Sequence, residues 1–172
     1  LTDHIIAARE IHRIVTNQVK KPTALPIHHN FLKLPVSIGV KEQNKKGLII
    51  YFGQKFCAYC KAHLERNWGQ KDIVNYTQKN FDVIAINIKG QRPVVDLDGK
   101  SYTEKSFAAL KQTNFTPSVL FYNAQGKEVL RLRGYRPPYQ FRAALEYVSD
   151  EHYKQESFAN YLGRAELALS FG

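Results

Sequence analysis

The stretch LIIYFGQKFCAYC, residues 48–60, decides how this chain of 172 residues is interpreted. Its first part, Leu48–Phe52, is apolar throughout and is bounded by a glycine on each side. A short apolar run between such breaks is typical of a strand buried on both faces. Its second part contains both cysteines of the chain, Cys57 and Cys60, and the segment that follows has the spacing of a helix. The stretch therefore predicts a strand that delivers a Cys-x-x-Cys pair to the start of a helix.

This arrangement predicts that the two cysteines differ chemically. The first turn of a helix exposes N–H groups without helical partners and carries a partial positive charge, so it favours an anion such as a thiolate. Cys57 falls at that position, and we expect it to be exposed and activated. Cys60 comes one turn later on the same face, where we expect it to be shielded and close enough to form a disulfide. The pattern predicts a dithiol/disulfide exchange site.

A pair of cysteines with this spacing also occurs in haem, zinc and structural disulfide sites. Haem attachment requires a histidine directly after the second cysteine, where this chain has Lys61, so haem attachment is excluded. A zinc site needs two further ligands, which His63 or the upstream His28 and His29 could supply. A purely structural disulfide closing so short a loop would constrain the unfolded chain very little. The sequence therefore favours redox chemistry and leaves metal binding as an alternative.

The composition is that of a folded globular chain. Hydrophobic residues make up 44% and aromatic residues 12% of the sequence. Its apolar runs are all shorter than the ~18 residues that a membrane-spanning helix needs. The chain contains no methionine and begins at Leu1, so we expect that a leader was removed or that the sequence was trimmed.

The net charge of +10 indicates a basic surface. Half of the excess falls in residues 1–46, and the basic residues are scattered without a nucleic-acid-binding motif. We therefore expect a solvated basic surface, and we predict no nucleic-acid partner.

The remaining patterns predict alternating helices and strands around the cysteine-bearing stretch. Strands joined through helices lie parallel, whereas a hairpin adds antiparallel strands. The sequence therefore predicts an α/β fold with a central mixed sheet flanked by helices, and with extra helices at both termini. The predicted elements are an amphipathic helix over 4–20, strands over 48–52 and 81–88, a loop over 89–102, a helix opened by the capping box Ser101-x-x-Glu104, a hairpin of 119–122 and 127–132, and helices after Pro138 and near Phe158.

This order of elements, with Cys57-Ala58-Tyr59-Cys60 and Thr116-Pro117, resembles the thioredoxin superfamily. Within it, the chain resembles the SoxW-like, thioredoxin-related proteins of the bacterial periplasm. The local features that carry the narrower resemblance are Phe52–Cys60, the insertion Asp96–Glu104, Phe115–Ser118 and Arg133–Tyr135.

The resemblance covers about residues 45–152 and implies a thioredoxin-like domain at 47–153. We expect residues 1–46 to form a helical and extended N-terminal extension packed on that core, and residues 154–172 to form a helical C-terminal extension. The resemblance also implies a periplasmic or otherwise exported protein whose signal peptide has been removed.

The resemblance further implies a mechanism that uses neither a metal nor a cofactor. Cys57, as a thiolate, attacks a protein disulfide, and Cys60 then attacks the mixed disulfide and releases the reduced product. Pro117 matches the cis-proline of the family, and Thr116 precedes it at a position that tunes substrate contact. The implied partners are protein disulfides as substrates and a membrane-bound or soluble thiol as electron donor. The resemblance favours a protein-disulfide reductase, whereas the chemistry of the pair leaves an oxidase or an isomerase open.

The chain departs from thioredoxins proper at two places. Tyr51 stands where they carry a buried acid that assists proton transfer, and Ala58-Tyr59 replaces their Gly-Pro between the cysteines. Lys55 lies close enough to the pair in sequence that we predict it to lower the pKa of Cys57. Phe56 and Tyr59, with Pro117, would form an apolar rim suited to an extended peptide.

Two further functions compete with disulfide exchange. In one, the cysteine pair and histidines hold a metal such as zinc or copper in a binding module. In the other, the fold serves only as an interaction protein, in which the basic N-terminal helix docks an acidic partner and the disulfide is passive.

Overall fold

The computed structural model of this chain describes residues 36–37 and 45–171. The elements in chain order are β1 (Val36–Ser37), β2 (Gly47–Gly53), α1 (Ala58–Arg66), α2 (Lys71–Asn80), β3 (Phe81–Asn87), β4 (Pro93–Val95), β5 (Ser101–Thr103), α3 (Glu104–Leu110), β6 (Ser118–Asn123), β7 (Glu128–Arg133), α4 (Pro138–Ser149), a 3-10 turn (His152–Lys154) and α5 (Phe158–Phe171).

The main sheet has the strand order β3-β2-β6-β7. β2 pairs with β3 in parallel and with β6 in the antiparallel sense, and β6 and β7 form the predicted hairpin. The parallel pair is joined through α1 and α2, since parallel strands need a long crossover connection. The apolar run of β2 is thus an inner strand, buried on both sides as its composition predicts. The predicted mixed sheet flanked by helices is confirmed.

Hydrophobic cores lie on both faces of this sheet. Because side chains alternate along a strand, β2 directs Ile49 and Tyr51 to one face and Leu48, Ile50 and Phe52 to the other. The first face is covered by residues of α1, α2 and α4, and the second by α3. β3 alternates in the same way, as its sequence predicts. Both faces of the sheet that carries the cysteine pair are therefore fixed by packing.

The segment predicted as a loop over residues 89–102 contains two short strands instead. β4 and β5 pair in the antiparallel sense around a turn at Asp98-Gly99, and β1 pairs in parallel with β4. The Asp96 side chain accepts hydrogen bonds from the N–H groups of Asp98 and Lys100, at 3.0 and 2.8 Å, and so closes the turn. Strands of three residues are too short to give an alternation signal, which is why the sequence pattern missed them.

The capping box predicted at Ser101 and Glu104 is wrong. α3 is capped by Thr103, whose side chain and that of Ser106 bond reciprocally to each other's backbone. Glu104 is buried and directed elsewhere: its carboxylate accepts from Arg92 at 2.9 Å and from the N–H of Asn87 at 3.1 Å. The helix therefore begins two residues later than the predicted motif, with its own capping box of Thr103 and Ser106.

The predicted terminal extensions are described only in part. The N-terminal helix predicted over residues 4–20 lies outside the described residues. At the other end the predicted helix is α5, where Phe158 and Tyr161 pack on Tyr147 of α4 with ring centroids 5.2 and 5.4 Å apart. The division of the chain at residues 46 and 153 stays a prediction. Across the described ranges, no helix combines the length and apolar character needed to cross a membrane.

Candidate active site

Cys57 is the N-cap residue of α1. β2 ends at Gly53, a short turn follows, and the backbone at Cys57 is still extended, with φ −109° and ψ 101°. Its sulfur accepts a hydrogen bond of 3.1 Å from the backbone N–H of Cys60, in the manner of an N-cap oxygen. The helix terminus therefore presents a donor directly to the sulfur, and this contact would strengthen if the sulfur carried a negative charge.

The two cysteines form a disulfide, with their Cα atoms 5.2 Å apart. Cys60 is only 5% exposed and belongs to the buried interior, whereas Cys57 is half-buried at the surface. The difference in access that the sequence predicts is present in the structure. An incoming sulfur can reach Cys57 and is kept from Cys60.

The segment around Pro117 comes from a distant part of the chain and touches the disulfide. The Thr116–Pro117 peptide bond is cis, and Pro117 is buried. Thr116 Oγ1 lies 3.3 Å from the sulfur of Cys57, and the carbonyl oxygen of Thr116 lies 3.5 Å from it. Since a disulfide sulfur has no proton, the hydroxyl of Thr116 is the donor in the shorter contact. The structure thus brings Thr116 and Pro117 to the cysteine pair.

Gln54 also joins this group, although no sequence pattern assigned it a role. Its Nε2 lies 2.8 Å from Thr116 Oγ1, which makes a chain of polar contacts from Gln54 through Thr116 to Cys57. No local pattern could have indicated this contact, because the two residues are 62 positions apart. Lys55, which the sequence singled out, is an exposed turn residue. Its effect on the pKa of Cys57 stays a prediction.

Exposed aromatic rings flank the cysteine pair and the Thr116–Pro117 segment. Phe56 is 95% exposed, Tyr59 67% and Phe115 68%, and the small Ala58 is exposed beside them. Phe56 has a φ of +57°, in the left-handed region that bulky side chains rarely adopt. Phe56, Ala58 and Tyr59 were predicted to contact a substrate, and that role stays a prediction. The sequence missed Phe115 as a rim residue.

Tyr51, at the position of the missing acid, is a buried phenol. It is 3% exposed, and its hydroxyl makes no hydrogen bond with the described part of the chain. Burial raises its pKa far above the ordinary value, so the phenol stays neutral. The ring lies directly against Gly53, where an added Cβ would be 2.8 Å from Tyr51 Cε1. Tyr51 therefore serves as a packed side chain and cannot replace a carboxylate as a base.

His63, one of the candidate zinc ligands, lies in an aromatic cluster of the core. Its ring centroid is 4.9 Å from that of Trp68 and 4.6 Å from that of Phe141, both in edge-to-face geometry. Its Nδ1 is 3.0 Å from the side-chain amide of Asn67, which also donates to the carbonyl oxygen of Arg136. The ring is 1% exposed, and burial lowers the pKa of His63 to about 3. His63 is therefore a neutral core residue.

The described ranges, 36–37 and 45–171, contain no cluster of side chains that would support the zinc hypothesis. Within them, no group of three or more His, Cys, Asp or Glu side chains is placed to hold a metal ion. The set of Cys57, Cys60 and His63 is accordingly not assembled. His28 and His29 lie outside the described residues.

The fold and the cysteine pair together indicate the class of protein to which this chain belongs. A mixed sheet flanked by helices carries a Cys-x-x-Cys disulfide at a helix N-terminus, with the Thr116–Pro117 segment against it, as in thiol–disulfide oxidoreductases. The family model described as a thioredoxin-like domain matches residues 34–149, more than half of the chain. The chain therefore belongs to the thioredoxin-like family.

Three solved structures are similar to this chain. A thioredoxin-fold protein from Helicobacter pylori is similar at 24% identity over 78% of this chain and 87% of that one, with a TM-score of 0.59. A thioredoxin from Thermus thermophilus gives 22% identity, coverage of 60% and 73%, and a TM-score of 0.48. A protein described as DsbH oxidoreductase gives 11% identity, coverage of 76% and 95%, and a TM-score of 0.47. The first similarity shows the shared fold.

A search of the curated proteins found no match. The narrower resemblance to SoxW-like proteins stays a prediction.

Proposed function

We propose that this chain is a thiol–disulfide oxidoreductase that reduces disulfide bonds in protein substrates. The observation that carries the proposal is the setting of the Cys57 sulfur. It accepts from the N–H of Cys60 at 3.1 Å and lies 3.3 Å from the hydroxyl of Thr116, beside Pro117. Two donors aimed at one sulfur favour its thiolate, which is the nucleophile in disulfide exchange.

The proposed reaction consists of two thiol–disulfide exchange steps. The Cys57 thiolate of the reduced protein attacks one sulfur of the substrate disulfide; that bond breaks, a mixed disulfide forms, and the other substrate sulfur leaves as a thiolate that takes up a proton. Cys60 then loses its proton and attacks the sulfur of Cys57, which releases the second substrate thiol. Two electrons pass to the substrate, and the protein ends with the Cys57–Cys60 disulfide.

The surroundings of the disulfide suit an extended peptide as substrate. Within the described residues, the backbone of Thr116 makes no hydrogen bond with another backbone group. Its N–H and C=O are therefore available to pair with a substrate strand, as in strand addition to a sheet edge. The exposed rings of Phe56, Tyr59 and Phe115 would add apolar contacts on either side.

The reductase direction requires a source of electrons. Each turnover leaves the protein oxidised, so a membrane-bound or soluble thiol donor must reduce the Cys57–Cys60 disulfide again. We propose an exported, periplasmic location for this cycle. It rests on the resemblance to periplasmic proteins, and fractionation of cells that express the natural gene would test it.

The first experiment measures reduction of insulin disulfides by dithiothreitol with and without the protein. Wild type should accelerate the reaction, and Cys57→Ser should abolish the acceleration because no nucleophile remains. Cys60→Ser is the matched control: it keeps the nucleophile but cannot resolve, so, when it is mixed with insulin without dithiothreitol, it should accumulate a mixed disulfide through Cys57. Full activity of Cys57→Ser would contradict the proposal.

A second measurement decides the direction. The pair is equilibrated in glutathione buffers, and its redox state is read by mass spectrometry after alkylation. A reduction potential near that of thioredoxin, about −270 mV, supports a reductase. A value near about −120 mV would mean that the protein donates disulfides, and the proposed direction would be wrong.

A further inference from the structure

Gln54 contacts the reactive sulfur of Cys57 indirectly, through the side chain of Thr116. It lies half-buried in the turn between β2 and α1, and its side-chain amide donates to Thr116 Oγ1 at 2.8 Å. The same oxygen is 3.3 Å from the sulfur of Cys57. The glutamine reaches the sulfur only through the threonine.

The donor and acceptor roles along this chain of contacts are fixed at both ends. A hydroxyl has one proton to donate and two lone pairs that accept. The Gln54 amide donates, so it occupies a lone pair of Thr116 Oγ1. The hydroxyl proton is then free to turn towards Cys57, whose sulfur can only accept when it is a disulfide or a thiolate. Without the glutamine, the hydroxyl could turn its proton elsewhere.

We propose that Gln54 is a positioning residue that holds the Thr116 hydroxyl as a hydrogen-bond donor to the Cys57 thiolate. The inference deepens the proposed function, because the thiolate is the nucleophile of that reaction. It assigns to a neutral side chain the activation that the sequence alone attributed to Lys55. A hydrogen bond at a half-buried sulfur is stronger than the attraction of an exposed ammonium, which solvent and salt screen.

Other groups near the sulfur of Cys57 also influence the stability of its thiolate. The backbone N–H of Cys60 is a second donor to the thiolate, whereas the carbonyl oxygen of Thr116, at 3.5 Å, accepts only from the protonated thiol. The titratable residues within four positions of Cys57 are Lys55, Tyr59, Cys60 and Lys61. None of them is changed in the variants below, so their contributions cancel in the comparison.

The test is the rate of alkylation of Cys57 by iodoacetamide against pH in the fully reduced protein, read on the Cys57 peptide by mass spectrometry. Below the thiol pKa this rate follows the thiolate fraction. Thr116→Val removes the donor and should lower the rate about tenfold in this pH range, the loss expected for one hydrogen bond to a charged group. Gln54→Ala leaves the hydroxyl unheld and should lower it about threefold. At high pH, where Cys57 is fully ionised, the variants should react at least as fast as wild type, because a thiolate of higher pKa is the better nucleophile.

Two further variants test whether the Thr116 hydroxyl and the Gln54 amide are the groups that affect the alkylation rate. Thr116→Ser keeps the hydroxyl and should retain the wild-type profile. Gln54→Glu places an acceptor and a negative charge where the amide donates. It should both draw the hydroxyl proton away from the sulfur and repel the thiolate, and so reduce the rate more than Gln54→Ala does. Gln125→Ala, at an exposed glutamine in the turn between β6 and β7, is the matched control and should leave the profile unchanged.

A double variant tests whether Gln54 acts on the Cys57 thiolate through Thr116 or directly. If Gln54 acts through Thr116, then Gln54→Ala should change nothing in the Thr116→Val background. An undiminished effect there, or a Gln54→Ala profile that superimposes on wild type, would overturn the inference. The readout needs no protein substrate, so it is independent of insulin reduction. Failure of the proposed function would show as inactivity of wild type on insulin, whatever the alkylation profiles are.

Discussion

His63 makes the stability of this protein depend on pH in a way that follows from its burial. Burial lowers its pKa to about 3, against about 6.5 in an unfolded chain. Between these pH values the ring is neutral in the folded protein and protonated in the unfolded chain, so the unfolded state binds more protons. This contribution to stability is complete above the unfolded pKa and is lost as the pH falls towards 3, at about 1.4 kcal/mol per pH unit.

The perturbation is His63→Leu, which replaces the ring by an apolar side chain that does not titrate. We expect the free energy of unfolding of wild type to decrease, relative to the variant, by about 3 kcal/mol between pH 7 and pH 4. The assay is urea unfolding of the oxidised protein at pH 7, 6, 5 and 4, with the disulfide intact so that neither cysteine titrates. Carboxyl groups titrate alike in both proteins, and their effect cancels in the difference.

A second substitution separates titration from packing. His63→Phe fills the cluster with a larger ring and will differ from His63→Leu in stability at pH 7, but its difference from wild type should change with pH in the same way. A difference that stays constant from pH 7 to pH 4 for both variants would refute the reasoning, because His63 would then bind protons equally in the folded and unfolded states.

Two further predictions concern the site rim and the buried ion pair. Tyr59→Ala should lower kcat/KM for insulin reduction several-fold while the free energy of unfolding changes by less than about 0.5 kcal/mol, since the ring is 67% exposed; unchanged kinetics would contradict its role in binding. Arg92→Ala should lower the free energy of unfolding by about 2 kcal/mol, measured in urea, because the buried Glu104 carboxylate would keep, among the described residues, just the Asn87 N–H as its partner. A loss below about 0.5 kcal/mol would show that water replaces the arginine.

Much of the fold follows from local sequence patterns. The apolar run of β2 and the two-sided alternation of β3 each predict an inner strand, because burial on both faces leaves no room for polar side chains. The hairpin of β6 and β7 and the helix α5 were likewise predicted from turn residues and periodicity. The strands β4 and β5 were not, since three residues are too few to show an alternation pattern, and the pairing of β4 with the distant β1 leaves no local signal.

The cysteine pair, its order of reactivity and the approach of Pro117 could be predicted from the sequence and its family resemblance. The cap of α3 was placed wrongly, because two local motifs compete and the side chain of Glu104, which the predicted box needs, pairs with Arg92 instead. The sequence also could not decide that His63 is a core residue, since an imidazole suits a metal site or an aromatic cluster equally well until its neighbours are known.

What the sequence by itself determined is the chemistry of the site: two thiols at the start of a helix that follows a buried strand. Only the tertiary structure decided which groups surround the reactive sulfur. Gln54 and Thr116 are 62 residues apart, and their contact exists because β2 and β6 are neighbours in the sheet. Local patterns report what one segment prefers, whereas the partners of a side chain are set by the packing of segments that only the folded chain brings together.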